Sequence, residues 1–200
     1  MQVDDMRLCF VGDSFVHGTN DPEYLGWTGR VSILAWARGQ QLTCYNLGVR
    51  RDTSSEIAAR WESESQRRLP TSCTPYVVFS YGVNDTTIED SRTRVPELIS
   101  IQNTWQILRT TQQRGYRTAL IGPPPIGDRQ HNERIRQLSL AMGQVAEDQG
   151  VPFLSTFDVL VVDPVWMAEV SAGDGAHPGA AGYAKFAALV DGWECWWFKE

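Results

Sequence analysis

Two short blocks of the chain carry residue types and a spacing suited to nucleophilic catalysis. A serine follows Gly12 and Asp13, and a histidine lies three residues after an aspartate in Asp174-Gly-Ala-His177. A serine hydroxyl becomes an effective nucleophile when a neighbouring base takes its proton, and a carboxylate that accepts from this base fixes its tautomer. We therefore expect Ser14 as the nucleophile, His177 as the base and Asp174 as the group that orients the base.

Two further blocks supply hydrogen-bond donors for an oxyanion. Acyl transfer builds negative charge on the carbonyl oxygen, and donors aimed at that oxygen stabilise the transition state. Gly48, in Asn46-Leu-Gly48, has an N–H that a substrate can approach closely because no side chain intervenes. The Asn84 amide, in Gly82-Val-Asn-Asp85, is a second candidate, and the Ser14 N–H is a third. Each block alone is equally typical of a turn or a helix cap, so only their combination indicates a site.

Each block follows an apolar run that is typical of a buried strand. Helical periodicity separates five such runs, which are residues 8–11, 42–47, 76–79, 118–121 and 151–154. This alternation predicts one flavodoxin-like α/β/α domain over residues 1–200, with a five-stranded parallel sheet in the order 2-1-3-4-5. Pro152 cannot donate a hydrogen bond to a neighbouring strand, so we expect the fifth strand at an edge.

The predicted strand order brings three of the blocks together and leaves the fourth apart. Ligands bind such sheets beyond the carboxyl ends of the strands, near the point where the strand order reverses. Ser14, Gly48 and Asn84 follow neighbouring strands and should converge there. His177 follows the edge strand, roughly 14 Å away at the usual strand spacing. The long segment 155–173 must therefore return across the top of the sheet to deliver it.

Composition excludes several other classes of protein. The chain has 200 residues, 42% of them apolar, and a net charge of −6, which argues against a nucleic-acid partner. No apolar stretch approaches the ~20 residues of a membrane span, and the first residues do not read as a secretory signal, so we expect a cytoplasmic protein. The four cysteines lack metal-ligand spacing and a nearby histidine, so neither a metal nor a disulfide framework is expected.

In order and residue type, the four blocks resemble those of the GDSL/SGNH hydrolase family, which is named after its catalytic Ser, Gly, Asn and His. Gly12-Asp-Ser-Phe15 carries Phe where Leu is usual, and Ala176 is a second departure within the last block. The resemblance spans nearly the whole chain. It implies a flavodoxin-like fold, no metal or cofactor, and hydrolysis of an acyl ester through an acyl-enzyme.

The resemblance also implies roles for the residues of the four blocks. These are a triad of Ser14, Asp174 and His177 and an oxyanion hole that includes Gly48 and Asn84. The departures touch no catalytic atom and leave the substrate open. A thioesterase, a carbohydrate acetylesterase or an acyl-transferase would use the same site.

Several residues outside the blocks are predicted from their positions alone. His17 should line the mouth of the site, Pro124 its rigid rim, and Trp166, in the returning segment, the acyl pocket. His131 is expected to be a solvated or capping residue at the start of a helix. Trp196 lies off the inner stripe of the last helix, so it would cover an edge or contact another subunit in a homo-oligomer.

A non-catalytic flavodoxin-like module that holds a ligand is the alternative from another functional class. A phosphate-binding first loop would be rich in Gly, Ser or Thr, and Phe15-Val-His17 fits this poorly. The alternative also gives the Asp174/His177 pair no purpose. The ordinary α/β-hydrolase motif Gly-x-Ser-x-Gly is absent, because Val16 stands where its second glycine would fall.

Overall fold

One parallel sheet positions the four blocks: the first three lie at the ends of its strands, and the fourth lies between two helices. We describe residues 5–199 in a computed structural model of the chain. The strands of the main sheet are β1 (Met6–Gly12), β2 (Leu42–Gly48), β3 (Thr74–Ser80), β6 (Arg117–Ile121) and β7 (Phe153–Leu154). A small antiparallel hairpin of β4 (Ile88–Glu89) and β5 (Arg92–Thr93) follows β3. The main sheet has the order β2-β1-β3-β6-β7, which is the predicted order once the hairpin strands are numbered.

Helices connect the strands and cover both faces of the sheet. They are α1 (Ser14–His17), α2 (Gly26–Ala37), α3 (Ser54–Gln66), α4 (Glu97–Gln113), α5 (Arg129–Asp148), α6 (Phe157–Leu160), α7 (Pro164–Ala172) and α8 (Ala180–Gly192). Among residues 5–199, no helix is both long and apolar enough to cross a membrane.

The two faces of β1 belong to two separate cores. Leu8 and Phe10 pack in one core with side chains of α2, α7 and α8. Cys9 and Val11 pack in the other with side chains of α3, α4 and α5. Successive side chains of a strand point to opposite faces, so a strand that is apolar at every position is buried between two helical layers. The predicted three-layer α/β/α arrangement is thereby confirmed.

Local signals in the sequence set several helix and strand boundaries. Thr53 and Glu56 form a capping box at the start of α3, with the Thr53 N–H donating to Glu56 Oε2 over 2.7 Å. Gly39, just after α2, has the left-handed φ of +85° that favours glycine. β7 lies at the sheet edge, and Pro152 directly precedes it and accepts a hydrogen bond through its carbonyl oxygen.

The returning segment after β7 is folded rather than loose. It contains α6 and α7, and the Asp163 carboxylate caps α7 by accepting from two backbone N–H groups. Its apolar side chains Phe157, Leu160 and Trp166 are buried in the core that α8 shares. This packing fixes the path by which the chain carries the fourth block from the edge strand back to β1.

The last helix ends earlier than its apolar periodicity predicts. α8 stops at Gly192, and Trp193 leaves the helix with an extended ψ of 132°. The prediction for Trp196 was therefore wrong: its side chain is 2% exposed and packs inside its own chain against Phe198, which contacts Tyr76 in turn. A bend after α8 brings these aromatic side chains back to the core, and helical spacing alone does not indicate such a bend.

Candidate active site

A tight turn from strand to helix, the nucleophile turn, holds Ser14, the predicted nucleophile. A Cβ on Gly12 would lie 1.9 Å from the Ser80 carbonyl oxygen, so only glycine fits this end of β1. The Asp13 side chain then caps α1 by accepting from the Phe15 N–H over 3.0 Å. Ser14 is the first residue of α1, and its N–H therefore has no acceptor within the helix.

The structure brings the predicted triad together. His177 Nε2 lies 2.7 Å from Ser14 Oγ, and His177 Nδ1 lies 2.8 Å from Asp174 Oδ2. The other carboxylate oxygen of Asp174 accepts from the backbone N–H groups of Ala176 and His177. One oxygen of this carboxylate thus shapes the turn while the other orients the imidazole. The side chains of Asp174, His177 and Ser14 thus have the contacts that are required to move a proton off the serine hydroxyl.

Aromatic packing fixes the imidazole from one side. The centroid of the Phe15 ring is 4.8 Å from that of His177, and behind Phe15 lies the stacked ring of Trp166. Trp166 itself is fully buried, and its indole N–H donates to the Pro125 carbonyl oxygen over 3.0 Å. The predicted place of Trp166 in an acyl pocket is therefore corrected, because its ring supports the site from within the core. Phe15, the departure in the first block, contacts the imidazole of His177, the predicted base.

The Asn84 amide lies beside the nucleophile turn. Its Nδ2 donates to the Asp52 carbonyl oxygen over 3.0 Å and to Asp13 Oδ2 over a longer 3.4 Å. Asp13 therefore contacts both the start of the nucleophile helix and this amide. The three neighbouring strands β2, β1 and β3 have brought their following segments to one place, as the strand order predicted.

Gly48 has a structural role that the sequence did not indicate. A Cβ at this position would lie 2.2 Å from the His17 backbone nitrogen and 2.8 Å from the Asp13 carbonyl oxygen. The Gly48 N–H donates to the Asn46 side-chain oxygen over 2.9 Å. Glycine is thus needed here for the close approach of β2 to the nucleophile turn, and its N–H already has a partner.

Comparison with known proteins agrees with this arrangement. Residues 10–185 match the GDSL-like Lipase/Acylhydrolase family, and this range includes all four blocks. The chain belongs to this family. A search of curated protein sequences found no match.

Solved structures share the fold of this GDSL-like hydrolase over nearly its full length. The lipase/acylhydrolase from Enterococcus faecalis is 22% identical with a TM-score of 0.75, over 92% of this chain and 93% of that one. Axe2, an acetylxylan esterase from Geobacillus stearothermophilus, is 20% identical with a TM-score of 0.75, over 94% of each chain. The esterase EstA from Pseudoalteromonas sp. is 16% identical with a TM-score of 0.72, over 92% of this chain and 94% of that one. At these identities the likeness concerns the fold.

The Asp174 carboxylate is held in its ionised form. Burial alone would raise its pKa, but hydrogen bonds from the His177 N–H, the His177 ring and the Ala176 N–H outweigh burial and hold the pKa well below its usual range. An ionised carboxylate can only accept hydrogen bonds, so Nδ1 of His177 must carry the proton and Nε2 is left to face Ser14.

A second carboxyl group in the hydrolase site has the opposite character. Burial, which is the largest cause, and the nearby carboxylates of Asp85 and Asp52 together raise the pKa of Asp13 to about 7, against the lowering effect of the hydrogen bond from the Phe15 N–H. The folded protein therefore holds a proton on Asp13 over a pH range in which the unfolded chain would release it.

This difference predicts that Asp13 makes folding less favourable as pH rises. Its contribution to stability is fully present below about pH 4 and is lost by just above about pH 7, a change of the order of 2–4 kcal/mol. Asp13→Asn has no proton to lose. As pH rises from about 5 to about 8, the urea midpoint of the wild type should therefore fall relative to that of the variant. A difference that does not vary with pH would contradict the assignment.

Arg51 is a feature of the site that the sequence did not reveal. It lies in the loop after β2 with a left-handed φ of +72°, which is uncommon for a residue with a side chain. Within residues 5–199, its backbone N–H makes no hydrogen bond. The next residue, Asp52, accepts from the Asn84 amide through its carbonyl oxygen. A free main-chain donor thus lies in the loop that contacts Asn84, and the unusual φ is visible only in three dimensions.

His131 was also assigned wrongly from the sequence. It is 9% exposed, and its Nε2 lies 2.9 Å from Thr86 Oγ1 and 3.1 Å from the Val83 carbonyl oxygen. Burial lowers its pKa, which favours the neutral ring. The prediction of a solvated or capping residue is corrected, because this histidine reaches across from α5 and anchors the turn that carries Asn84.

The remaining predicted residues lie around the site rather than in it. His17, at the end of α1, is exposed and lines an open groove beside the nucleophile helix. Pro124 is buried in the segment after β6, so it does not offer an exposed rim to a substrate. Among residues 5–199, no three His, Cys, Asp or Glu side chains are grouped closely enough to hold a metal ion.

Proposed function

We propose that this GDSL-like hydrolase is a serine esterase that cleaves carboxylic esters through an acyl-enzyme on Ser14. The observation that carries the proposal is the unbroken series of contacts from Asp174 through His177 to Ser14, at 2.8 and 2.7 Å. A non-catalytic ligand-binding module would have no use for these two contacts. Ionised Asp174 and the orienting ring of Phe15 both support a base that is ready to accept a proton.

In the first half of the reaction, Ser14 Oγ attacks the carbonyl carbon of the ester and its proton passes to His177 Nε2. The carbon becomes tetrahedral, and the former carbonyl oxygen carries the negative charge. The imidazolium then gives its proton to the alcohol oxygen as the carbon–oxygen bond to that alcohol breaks. The acyl group remains on Ser14, and the alcohol leaves.

In the second half, water replaces the alcohol. His177 takes a proton from the water molecule while its oxygen attacks the acyl carbon, and the same proton returns to Ser14 Oγ as the acyl-enzyme bond breaks. The acid product leaves and the site is restored. These two half-reactions need no cofactor or metal. An acyl-transferase would follow the same steps and differ only in the acceptor that replaces water.

The Ser14 N–H, the Asn84 amide and a main-chain N–H from the segment after β2 are the proposed donors to the oxyanion. The sequence assigned this last donor to Gly48. Because the Gly48 N–H bonds to Asn46, the free N–H of Arg51 is a second candidate for the same task. The Asn84 amide nitrogen has two hydrogens. One bonds to Asp52, and the longer contact to Asp13 is the one that an oxyanion can replace.

Asn84→Ala should lower kcat about 10²–10³-fold with little change in KM, because the amide would act on the charged transition state and not on the neutral ester. Steady-state kinetics with an activated acetate ester measure both constants. Asn103→Ala is a matched control, since within residues 5–199 its amide nitrogen donates only to Ser54 and Ser55 at the start of α3. An unchanged kcat in Asn84→Ala would remove this residue from the mechanism.

Labelling with a fluorophosphonate probe tests the proposed function itself. The wild type should react at Ser14 and lose esterase activity as it does so, because the activated hydroxyl attacks phosphorus as it would a carbonyl carbon. Ser14→Ala should not be labelled. Labelling that persists in Ser14→Ala would place the nucleophile elsewhere, and a folded wild type that resists the probe would contradict a serine esterase.

The four cysteines support a reducing location for the hydrolase. Cys9 and Cys73 are buried, and none of the four is in a disulfide. Burial raises the pKa of Cys9 to about 12, so its thiol behaves as a small apolar group. We therefore retain the cytoplasm as the proposed location.

A further inference from the structure

An open groove adjoins the nucleophile helix on the side of the loop between α1 and α2. It has a volume of about 430 Å³, and the residues that line it include His17, Tyr24 and Arg50. His17 ends the short helix that Ser14 begins, so the groove starts about one helical turn from the nucleophile. The groove is therefore close enough to Ser14 to receive a substituent of an ester bound there.

Arg50 gives the groove a free positive charge. Its side chain is exposed and makes no ion pair or hydrogen bond within residues 5–199. Four other arginines each have a carboxylate partner: Arg30 with Asp21, Arg51 with Glu89, Arg60 with Asp52, and Arg94 with Glu56. In a chain with a net charge of −6, the unpaired guanidinium of Arg50 on this groove differs from these paired arginines.

The carboxylates near the groove do not neutralise Arg50. Asp21 lines the groove, but its two oxygens accept from the Glu23, Leu25 and Gly26 N–H groups and from Arg30. Glu23 also pairs with Arg30, over 2.7 Å. The groove therefore presents the guanidinium of Arg50 and the imidazole of His17 to a ligand.

Tyr24 supplies a flat surface at the same place. Its side chain is 92% exposed, and its φ of +58° is left-handed, a conformation that costs a residue with a side chain of the order of 1–3 kcal/mol. Such an exposed ring contributes no buried area that would offset this strain. Strain without a packing benefit points to a role in recognition.

The loop that carries Tyr24 is rigid. The Asp21 carboxylate holds the backbone from Glu23 to Gly26, with the shortest of these main-chain bonds at 2.7 Å. Gly18 and Gly26 pack backbone against backbone, because a Cβ on Gly18 would lie 2.7 Å from Gly26 Cα. A platform that is fixed before the ligand arrives loses little conformational entropy on binding.

We propose that this space, the Tyr24–Arg50 groove, binds the alcohol part of the ester and selects alcohols that carry a carboxylate or a phosphate. The guanidinium offers paired donors to such a group, and the Tyr24 ring offers a face to the flat part of the alcohol. This inference rests on the proposed esterase function and names the substrate class of its site.

Three acetate esters with similar rings test the groove. They are phenyl acetate, 4-acetoxybenzoate and 4-acetoxyphenyl phosphate, which share the acyl group and differ in the charge on the alcohol. Arg50→Gln should lower kcat/KM for the preferred charged ester about five- to tenfold relative to phenyl acetate. Comparing each ester between wild type and variant cancels its intrinsic reactivity. The charged ester whose kcat/KM falls more in Arg50→Gln identifies carboxylate or phosphate as the preferred group.

Arg67→Gln is the matched control. Arg67 is exposed at the far end of α3, about 20 Å along the helix from its start near the site, and its loss changes the net charge equally. In Arg67→Gln, the ratio of kcat/KM for the charged ester to kcat/KM for phenyl acetate should equal that of the wild type. Tyr24→Ala should raise KM for all three esters. In the wild type, added salt should reduce the preference for the charged ester.

The outcomes separate this inference from the proposed function. Suppose that the wild type hydrolyses phenyl acetate through Ser14, but Arg50→Gln leaves the ratio of kcat/KM between charged and neutral esters unchanged. The groove then does not select an anion, and the esterase assignment stands. If no ester is hydrolysed and Ser14 resists fluorophosphonate, the esterase assignment fails. Calorimetry with 4-hydroxybenzoate and phenyl phosphate then tests the groove alone. Weaker binding to Arg50→Gln than to Arg67→Gln would support it, and equal binding would overturn it.

Discussion

His177→Ala is expected to lower kcat for ester hydrolysis about 10⁵–10⁶-fold, which makes it one of the two most damaging changes predicted here. Without the imidazole 2.7 Å from Ser14 Oγ, no neighbouring base takes the serine proton, and no acid returns it to the leaving alcohol. KM should change little, because the ring acts on a proton and not on the bound ester. Steady-state kinetics with an activated acetate ester measure both constants.

The double variant Ser14→Ala/His177→Ala supplies the decisive comparison. Residues that act as one unit are not additive, so the double variant should be about as slow as either single one. Circular dichroism checks that the loss of the ring contact with Phe15 leaves the fold intact. Losses that multiply in the double variant would mean that Ser14 and His177 act in separate steps, contrary to the proposed mechanism.

Most of the sheet could be predicted from the sequence because its signals are local and repeated. A continuous apolar run, as in residues 76–79 of β3, indicates a strand covered on both faces, and the Thr53 capping box marks the start of a helix. Pro152 correctly placed the last strand at an edge, since it lacks an N–H for a neighbour. Each of these signals depends on one short segment, so no knowledge of the rest of the chain was needed.

The parts that could not be predicted depend on contacts between distant segments. Gly48 reads as a donor in its block, but its required closeness to His17 appears only when β2 lies beside β1. His131 looks like a polar residue at a helix start, and it becomes an anchor because α5 lies against the turn after β3. Trp166 lies in the segment that returns to the site, and packing places it behind Phe15 rather than in a pocket. No spacing rule encodes these pairings.

Asp174→Asn should lower kcat by about 10²–10⁴ while leaving the fold nearly unchanged, because the two oxygens of this carboxylate have separate tasks. An asparagine oxygen can still accept from the Ala176 and His177 N–H groups that shape the turn. The amide group that replaces the other oxygen cannot accept from Nδ1 of His177. The ring would then favour the tautomer with its proton on Nε2, which cannot take the proton of Ser14.

Asp163→Asn provides the control for this experiment. Asp163 also accepts from two backbone N–H groups at a turn, at the start of α7, but no imidazole lies on its other oxygen. Both variants should therefore keep a Tm close to that of the wild type, and only Asp174→Asn should lose kcat. Asp174→Ala should lose thermal stability as well, because it removes the acceptor for the turn. If Asp174→Asn kept kcat within about tenfold of the wild type, the tautomer would be fixed by another group, and this carboxylate would serve the turn alone.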